Sequence, residues 1–330
     1  MTDPVKKVVF SGIRPTGPAH LGNFAGAMRN WLALQDKYTC FYSIVTWHAL
    51  SSEYQNSRVI KDYTYEMAVD LLSVGLDPAK CVIFVQSEVK EHAELHLLLS
   101  MVTPLPWVER VPTFKDMQKE MAEKDLNTYG YLGYPVLQTA DILLYKGEIV
   151  PVGEDQAAHL ELAREICRRF NRLIGEVFPE PQMLLTQTPR LAGTDGRKMS
   201  KSFGNAVYLK DPPEVIRQKI STMVTDTRRQ RRSDAGEPAD CPVFTLHAAF
   251  VEKTRREELA GACRTAGIGC LECKAVVIER LLDLLGPYRE RRAEFEGHPS
   301  RILEILDEGN RQARAVAQKT MAEVRAALGF

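Results

Sequence analysis

Short apolar runs separated by longer helical patterns dominate the first half of the chain. The runs span 6–11 (KKVVFS), 40–46 (CFYSIVT) and 81–86 (CVIFVQ), and each has the length of a buried strand. Between them, residues 23–38 and 57–74 carry apolar side chains at helical spacing. Alternating strands and helices predict an α/β fold in which a parallel sheet carries helices on both faces. In such sheets ligands bind at the carboxyl ends of the strands.

The second half of the chain is predicted to be mostly helical. Residues 154–171 show the apolar spacing of a helix face, and residues 225–240 are polar and rich in turn-forming residues. From Glu252 onward the pattern predicts helices with one interruption at 296–300. The chain therefore changes character after Lys201, from an α/β pattern to a helical one.

Length and composition narrow the class of protein. A chain of 330 residues suggests two domains, and its formal net charge of zero means that a nucleic-acid partner must be bound by local basic patches. The N-terminus has no apolar signal region and no apolar run approaches a membrane span, so we expect a cytoplasmic protein without membrane segments. In that reducing compartment, an odd count of seven cysteines argues against a disulfide framework.

Two loops carry the candidate chemistry. The first strand runs into the Gly- and Pro-rich segment 11–23 (SGIRPTGPAHLGN), and the helix that follows offers free backbone N–H groups to an anion. The second loop, 195–205 (DGRKMSKSFGN), carries Arg197, Lys198 and Lys201, which suit a polyphosphate. Taken singly, the first pattern also fits an ordinary turn, and the second also fits a solvated basic loop.

Together, the two loops resemble the paired signatures of the class I aminoacyl-tRNA synthetases. HLGN (20–23) is similar to the HIGH signature, and KMSKS (198–202) matches the second signature at every letter. GIRPTG (12–17), YPVLQTADILLY (134–145) and VPVGEDQAAHLELAREI (150–166) occur with them in family order. From Phe10 to its C-terminal helix the chain resembles the tryptophanyl-tRNA synthetase family.

This resemblance implies a domain organisation and a reaction. It implies a Rossmann-like catalytic domain over 1–190, a helical anticodon-binding domain over 191–300 that starts with the KMSKS loop, and a C-terminal helix over 301–330 that packs back on the catalytic domain. ATP and Mg²⁺ would activate L-tryptophan, tRNA(Trp) would receive it, and the enzyme would be a homodimer. A tyrosyl-tRNA synthetase is the nearest alternative, and a small-molecule nucleotidyltransferase or a tRNA-binding regulator without catalysis is a more distant one.

The resemblance also implies ATP contacts residue by residue. Lys198, Lys201, His20 and Asn23 are expected to be catalytic, with the two lysines binding the charge that develops on pyrophosphate. The other expected ATP contacts are Arg14, Pro15, Thr16, Gly22, Gly153, Glu154, Asp155, Leu191, Met199, Ser200, Ser202 and Lys115. The family often has Gln at the position of Arg14 and His at that of Asn23, so these two residues depart from its pattern.

The tryptophan pocket is expected on the segment 134–145. Gln138 and Asp141 lie three residues apart on an apolar helix, so they share a face. A buried aspartate needs a partner, and an indole offers one N–H donor and no acceptor. The resemblance implies that Asp141 accepts this N–H, with Gln138 beside it, while Tyr134 and Gln156 hold the amino end. From the residues alone, a surface carboxylate is an equal interpretation of Asp141.

Four cysteines crowd into the helical part of the chain. Cys241, Cys263, Cys270 and Cys273 have the spacing C-x21-C-x6-C-x2-C, whereas the other three cysteines fit buried apolar positions. A Cys₄ zinc site usually has two short-spaced pairs, and only Cys270 and Cys273 form one here. A subgroup of tryptophanyl-tRNA synthetases has nearly this spacing and a cluster in the anticodon-binding domain. The resemblance therefore implies a [4Fe–4S] cluster, with zinc as the second choice.

Overall fold

Five strands of the described chain form one parallel sheet. The computed structural model describes residues 6–111, 127–185 and 190–330, without the side chain of Asp155. The strands are β1 (Val8–Ile13), β2 (Thr39–Ile44), β3 (Cys81–Val85), β4 (Ile149–Val152) and β5 (Gln182–Leu185). Their order in the sheet is β3-β2-β1-β4-β5, and every neighbouring pair is parallel. The predicted α/β fold is confirmed, and the three predicted strands end within two residues of the observed ones.

Helices of the first half connect these strands. They are α1 (Leu21–Asn23), α2 (Arg29–Leu34), α3 (Thr46–Glu53), α4 (Val59–Ser73), α5 (Glu91–Val102), α6 (Leu105–Glu109), α7 (Tyr129–Leu132), α8 (Tyr134–Leu144) and α9 (Ala157–Leu173). A π-helical turn, Phe24–Met28, joins α1 to α2, so the helix predicted over 23–38 runs instead from Leu21 to Leu34. Alternate residues of β1 reach two hydrophobic clusters, because successive side chains of a strand point to opposite faces: Val9 belongs to one and Phe10 to the other.

The second half of the described chain is helical. Its helices are α10 (Pro213–Thr222), α11 (Pro242–Phe250), α12 (Lys253–Arg264), α13 (Cys270–Gly297) and α14 (Pro299–Leu328). The predicted connection over 225–240 contains only the short 3₁₀ turn Pro238–Asp240. The helices α13 and α14 break at His298, since the residue before a proline disfavours helical geometry. None of the described helices is long and apolar enough to cross a membrane.

The last helix lies directly against the sheet. A Cβ on Gly309 of α14 would lie 1.9 Å from the carbonyl oxygen of Ile83 in β3, so only glycine permits this approach. Next to it, Asn310 accepts a hydrogen bond from the backbone N–H of Val85 at 2.8 Å. The α14 helix therefore covers the free edge of β3, which would otherwise expose unpaired backbone groups. The domain boundaries at 190 and 300 stay a prediction.

Candidate active site

A cavity of about 760 Å³ opens at the carboxyl ends of β1 and β4. In the sheet, β1 lies between β2 and β4, so the strand order reverses at β1. Doubly wound sheets bind ligands at such a reversal. The structure brings ten of the expected site residues into the wall of this cavity. They are Arg14, Gly22, Asn23, Tyr134, Gln138, Asp141, Gly153, Glu154, Gln156 and Lys198.

The other expected ATP residues lie beside the cavity or outside the described chain. Among the described residues, those that do not line it are Pro15, Thr16, His20, Leu191, Met199, Ser200, Lys201 and Ser202. Leu191 and Met199 are buried and joined by a backbone hydrogen bond of 2.9 Å, so they support the basic loop from beneath. Lys115 and the side chain of Asp155 lie outside the described residues.

The two signature loops are held together by long-range hydrogen bonds. The backbone N–H of Leu21 donates to Val207 at 3.0 Å, and that of Leu209 donates to Ala19 at 2.9 Å. The Nζ of Lys201 donates to the carbonyl oxygen of Gly17 at 2.6 Å. The segment that follows KMSKS thus pairs with the segment that contains His20, and this pairing sets the distance between the two loops.

His20 and Asn23 cap the first helix against each other. The Nδ1 of His20 accepts from the N–H groups of Gly22 and Asn23 at 3.0 and 3.3 Å, and Asn23 Oδ1 accepts from the N–H of His20 at 3.1 Å. Because Nδ1 is an acceptor here, a neutral His20 carries its proton on Nε2. A Cβ on Gly22 would lie 2.8 Å from Cε1 of His20, so glycine makes room for this ring.

Burial and the two lysines keep His20 uncharged. Burial, reinforced by Lys201 and Lys198, lowers the pKa of His20 to about 4. Burial also lowers the pKa of Lys201 to about 8, an effect that Asp70 only partly opposes. At neutral pH the loops therefore present a neutral imidazole between cationic side chains, a suitable environment for phosphate oxygens.

Asn205 holds the shape of the KMSKS loop. Its amide nitrogen donates to Asp195 Oδ1 at 2.7 Å and to the carbonyl oxygen of Lys198 at 3.1 Å, and its Oδ1 accepts from the N–H of Ser200 at 2.8 Å. A Cβ on Gly193 would lie 2.2 Å from Asn205, so glycine is required where the side chain crosses the loop. Sequence analysis did not identify this residue.

Asp141 is fully buried, and three side chains bind its carboxylate. Gln86 Nε2 donates to both oxygens at 2.8 and 2.9 Å, His92 Nδ1 lies 2.6 Å from Oδ1, and His48 Nε2 lies 2.9 Å from Oδ2. Burial alone would raise the pKa of Asp141, but His92 and His48 outweigh it and lower the pKa to about 2. A surface position for Asp141, one of the two open interpretations, is thereby excluded.

The network extends behind Asp141 into the core. His92 Nε2 lies 2.8 Å from the hydroxyl of Tyr145, so the ring can accept from that hydroxyl while Nδ1–H donates to Asp141. The rings of Tyr145 and Phe10 are stacked with their centroids 5.4 Å apart. Of these partners, His48 lies in the cavity wall, whereas His92 is wholly buried. His48 is therefore the partner that a ligand can approach.

The positions of Gln86 and His48 in the sequence carry a signal that the motif around Asp141 does not. Gln86 follows β3 directly, and His48 follows β2 after three residues, so both lie at the carboxyl ends of parallel strands. Polar residues at such positions are candidates for a ligand site. Their common target, Asp141, lies 55 and 93 residues further along the chain, a separation beyond the reach of a periodicity argument.

The other three expected tryptophan contacts, Gln138, Tyr134 and Gln156, also reach the cavity. Gln138 lies one helical turn before Asp141 on α8, in the cavity wall. Tyr134 lines the cavity, and its hydroxyl lies 2.5 Å from Nε2 of the buried His159. The apolar part of the wall includes Phe10, Ile142, Val150 and Val152. The cavity thus combines an apolar wall with a buried anionic acceptor.

The four clustered cysteines line a second, smaller pocket about the start of α13. Cys241, Cys263, Cys270 and Cys273 share this pocket with Val243 and Phe244. Burial, followed by the three neighbouring thiols, raises the pKa of Cys273 to about 12. Within the described residues, however, no group of three or more His, Cys, Asp or Glu side chains is arranged to hold a metal ion. The expected metal site is therefore not established by the structure.

Three arginines fasten the connection that carries this pocket. Arg228 pairs with Asp226 and Asp240, and Arg232 pairs with Glu272. Arg229 donates to the carbonyl oxygen of Ile268 and lies 3.8 Å from Cys263 Sγ. These ion pairs and hydrogen bonds hold the loop around 225–240 against the cysteine segment.

Comparison with known proteins places this chain in a family. A family model described as tRNA synthetases class I (W and Y) matches residues 4–286. A tryptophan–tRNA ligase of Thermotoga maritima is 48% identical over 324 residues, with 98% of this chain and 99% of the relative covered. One of Aquifex aeolicus is 43% identical, with 98% and 99% covered.

Solved structures give the same result at the level of the fold. The crystal structure of a tryptophanyl-tRNA synthetase from Campylobacter jejuni, complexed with ADP and tryptophan, has a TM-score of 0.84 and 34% identity, with 98% of this chain and 100% of that chain covered. A tyrosyl-tRNA synthetase from Archaeoglobus fulgidus, at 24% identity and a TM-score of 0.68, shares the fold alone. The chain therefore belongs to the tryptophanyl-tRNA synthetases, the class I ligases that join tryptophan to tRNA.

Proposed function

We propose that the cavity between β1 and β4 is where this tryptophan–tRNA ligase forms tryptophanyl-adenylate. The observation that carries the proposal is one cavity with a buried acceptor, Asp141, in its wall, and with Arg14 and Lys198 in the same wall. The solved Campylobacter jejuni synthetase holds ADP and tryptophan, which supports a nucleotide and an amino acid side by side in this fold.

Asp141 selects the amino acid through the indole N–H. The carboxylate is charged at neutral pH and buried, so an indole N–H that reaches it gains a charged hydrogen bond that a phenylalanine side chain cannot make. The hydrogen bond of His48 to Oδ2 comes from the cavity side, so the indole N–H shares or displaces it. Tyr134 and Gln156 bind the amino end, and Gln138 supports the substrate from the same helix face as Asp141.

Activation is an in-line displacement at the α-phosphate of ATP. A carboxylate oxygen of tryptophan forms a bond to this phosphorus, the bond to the bridging oxygen breaks, and pyrophosphate leaves with the electron pair. The chemistry depends on positioning and charge stabilisation rather than on a general base. Lys198 and Lys201 stabilise the charge on the leaving pyrophosphate, and His20 donates from Nε2–H. Mg²⁺, which binds mainly through substrate phosphates, would neutralise part of the same charge.

The remaining residues of the ATP subsite act on geometry. Arg14 and Asn23 lie in the cavity wall near the phosphates, while Gly153 and Glu154 lie at the end of β4, where the ribose is expected. Pro15, Thr16, Met199, Ser200 and Ser202 belong to the two loops that close over ATP, and Leu191 supports the second loop from below. Asn23 has two roles in this proposal, because it also caps the helix behind His20.

The amino-acid specificity and the reaction can be tested together. We expect ATP–pyrophosphate exchange that depends on tryptophan and not on tyrosine or phenylalanine, followed by charging of tRNA(Trp). Exchange driven by tyrosine would favour the sister enzyme, and exchange without charging would favour a nucleotidyltransferase. In either case the proposed reaction would be wrong.

We also propose that Cys241, Cys263, Cys270 and Cys273 bind a [4Fe–4S] cluster. The support is their common pocket and the all-cysteine donor set, which suits an iron–sulfur cluster. The described side chains are not arranged to hold a metal ion, so the preference for the cluster over zinc rests on the cysteine spacing, in which only Cys270 and Cys273 form a short pair. When bound, the cluster would cross-link the 225–240 connection to α12 and α13 and shape the anticodon-binding surface.

Anaerobic purification tests the cluster against zinc. We expect a brown protein with about four iron and four sulfide per chain. Cys270→Ser should lose the colour, whereas Cys40→Ala, which removes a buried thiol outside the pocket, should keep it. A colourless anaerobic preparation with stoichiometric zinc would assign the site to zinc. A preparation without any metal would exclude both the cluster and zinc.

The proposed homodimer has a candidate surface. Leu97 and Met101 lie one turn apart on α5 and are 54% and 72% exposed, and Leu105 at the start of α6 is 57% exposed. Large exposed apolar side chains in such a group are typical of an interaction surface. Light scattering on the wild type and on Met101→Glu would test it, since a dimer that persists unchanged in the variant contradicts this surface. A cytoplasmic location stays a prediction.

A further inference from the structure

Asp70 connects the loop that precedes His20 to the long helix α13. Asp70 lies on α4 and is fully buried. Its Oδ2 accepts the backbone N–H of Ala19 at 2.7 Å, and its Oδ1 accepts from Tyr288 at 2.5 Å and Arg292 at 2.7 Å. Tyr288 and Arg292 lie four residues apart on α13, so one face of that helix reaches the carboxylate.

Ala19 is held from two sides as a result. Its N–H donates to Asp70, and its carbonyl oxygen accepts the N–H of Leu209 at 2.9 Å. The next residue, Lys210, pairs with Glu66 at 2.8 Å, and Glu66 also pairs with Arg292 at 2.8 Å. The backbone immediately before His20 is therefore fixed by α4, by α13 and by the segment that follows KMSKS.

Stability alone does not explain this arrangement. A buried ion pair loses the solvation of both charges, and replacement by well-packed apolar side chains is often neutral or stabilising. Asp70 differs from a simple ion pair because one of its oxygens is reserved for a backbone amide next to an active-site residue. A displacement of about 1 Å at a catalytic group can lower a rate by a large factor, so fixing that amide has a functional effect.

We infer that Asp70, held by Tyr288 and Arg292, is a positioning residue that sets the His20 loop for ATP, so that α13 influences nucleotide binding. The inference rests on the proposed ATP subsite at this loop. No residue of the group touches the cavity, so the effect passes through Ala19 to His20 and Asn23. The α13 helix begins at Cys270 in the cysteine pocket and carries Tyr288 and Arg292 toward its other end. One helix therefore connects the cysteine pocket to the ATP loop.

Tyr288→Phe tests the inference because it removes one hydroxyl and keeps the buried ring. Loss of one hydrogen bond to the carboxylate should raise the KM for ATP about threefold to tenfold, while kcat and the KM for tryptophan stay within about twofold. Asp70→Asn should shift the KM for ATP further in the same direction. Arg291→Met is the matched control, since Arg291 joins the same two helices through the carbonyl oxygen of Ser73, at 2.7 Å, without reaching Asp70.

Direct ATP binding by calorimetry separates this inference from the proposed reaction. A wild-type enzyme that is inactive but still binds ATP would refute the proposed reaction. An ATP affinity that falls from the wild type to Tyr288→Phe and further to Asp70→Asn would still support the positioning role. If Tyr288→Phe and Arg291→Met lower the melting temperature alike and leave ATP binding unchanged, Asp70 is only structural. Equal increases in the KM for ATP and for tryptophan would also overturn the inference. If Asp70→Asn fails to fold, Tyr288→Phe decides alone.

Discussion

Gln86 donates to both carboxylate oxygens of Asp141, at 2.8 and 2.9 Å. The two residues are 55 positions apart in the chain and meet because β3 ends where α8 passes the cavity. This pair orients the carboxylate before any substrate arrives. If Asp141 accepts the indole N–H as proposed, specificity for tryptophan depends on a side chain outside the motif that carries Asp141.

Asp141→Asn is expected to abolish most tryptophan activation. The change keeps the shape of the side chain but removes the charge and places N–H donors against Gln86 or the indole. For a buried charged hydrogen bond we expect a loss of about 2–4 kcal/mol in kcat/KM for tryptophan, measured by pyrophosphate exchange. Thr139→Val, which removes a buried hydrogen bond to Pro135 on the same helix, is the control. Kinetics like those of the wild type in a folded Asp141→Asn enzyme would remove Asp141 from the pocket.

Gln86→Leu should weaken tryptophan binding without affecting ATP. The substitution removes both hydrogen bonds and leaves His92 and His48 to hold the carboxylate. We expect the KM for tryptophan to rise roughly tenfold, as for the loss of about 1–2 kcal/mol of orientation, with the KM for ATP unchanged. Parallel changes in both constants would indicate a general disturbance of the sheet and contradict a specific role.

Lys201→Ala should act on the transition state more than on the bound tryptophan. Removing one group that stabilises developing charge lowers kcat by about 100-fold or more in comparable sites. The dissociation constant for tryptophan, measured by calorimetry, should change little, because Lys201 lies outside the cavity wall near Gly17. A fall in tryptophan affinity with an intact rate of activation would show that the assignment is wrong.

The pH dependence of ATP use should report Lys201. Its pKa is lowered to about 8, so the ammonium form predominates below pH 8 and is lost as the pH rises through that value. We expect kcat/KM for ATP to fall above about pH 8, whereas kcat should hold to higher pH, because bound phosphates raise the lysine pKa. Lys201→Arg, which stays charged, should remove this limb of the profile. An unchanged profile in that variant would assign the limb to another group.

Asn205→Ala should loosen the KMSKS loop. Three hydrogen bonds, to Asp195, Lys198 and Ser200, are lost, and the Ser200 N–H and Lys198 carbonyl lose a partner. We expect unfolding free energy to fall by about 1–3 kcal/mol and the KM for ATP to rise, with tryptophan affinity preserved. Denaturant titration and exchange kinetics measure both. The loop would be held by other contacts if neither quantity changed.

The sequence alone determined the parts of this protein that depend on local pattern. Strand and helix periodicity gave the α/β class, and the paired loops at 11–23 and 195–205 led to the family. Asp141 could be proposed as an acceptor because a carboxylate on an apolar helix face needs a partner. Each of these segments could be interpreted from residues that lie close together in the chain, where spacing in the sequence corresponds to spacing on a surface.

Only the tertiary structure decided which distant groups meet. Gln86, His48 and His92 around Asp141, Asn205 across the KMSKS loop, and Asp70 between Ala19 and α13 are all set by the way the sheet and helices pack. Hydrophobic periodicity reports which face of an element is buried, but it carries no information on which buried polar group lies opposite. That pairing is favoured by the free-energy cost of burying a polar group without a partner, and this cost can be evaluated only once the whole chain is folded.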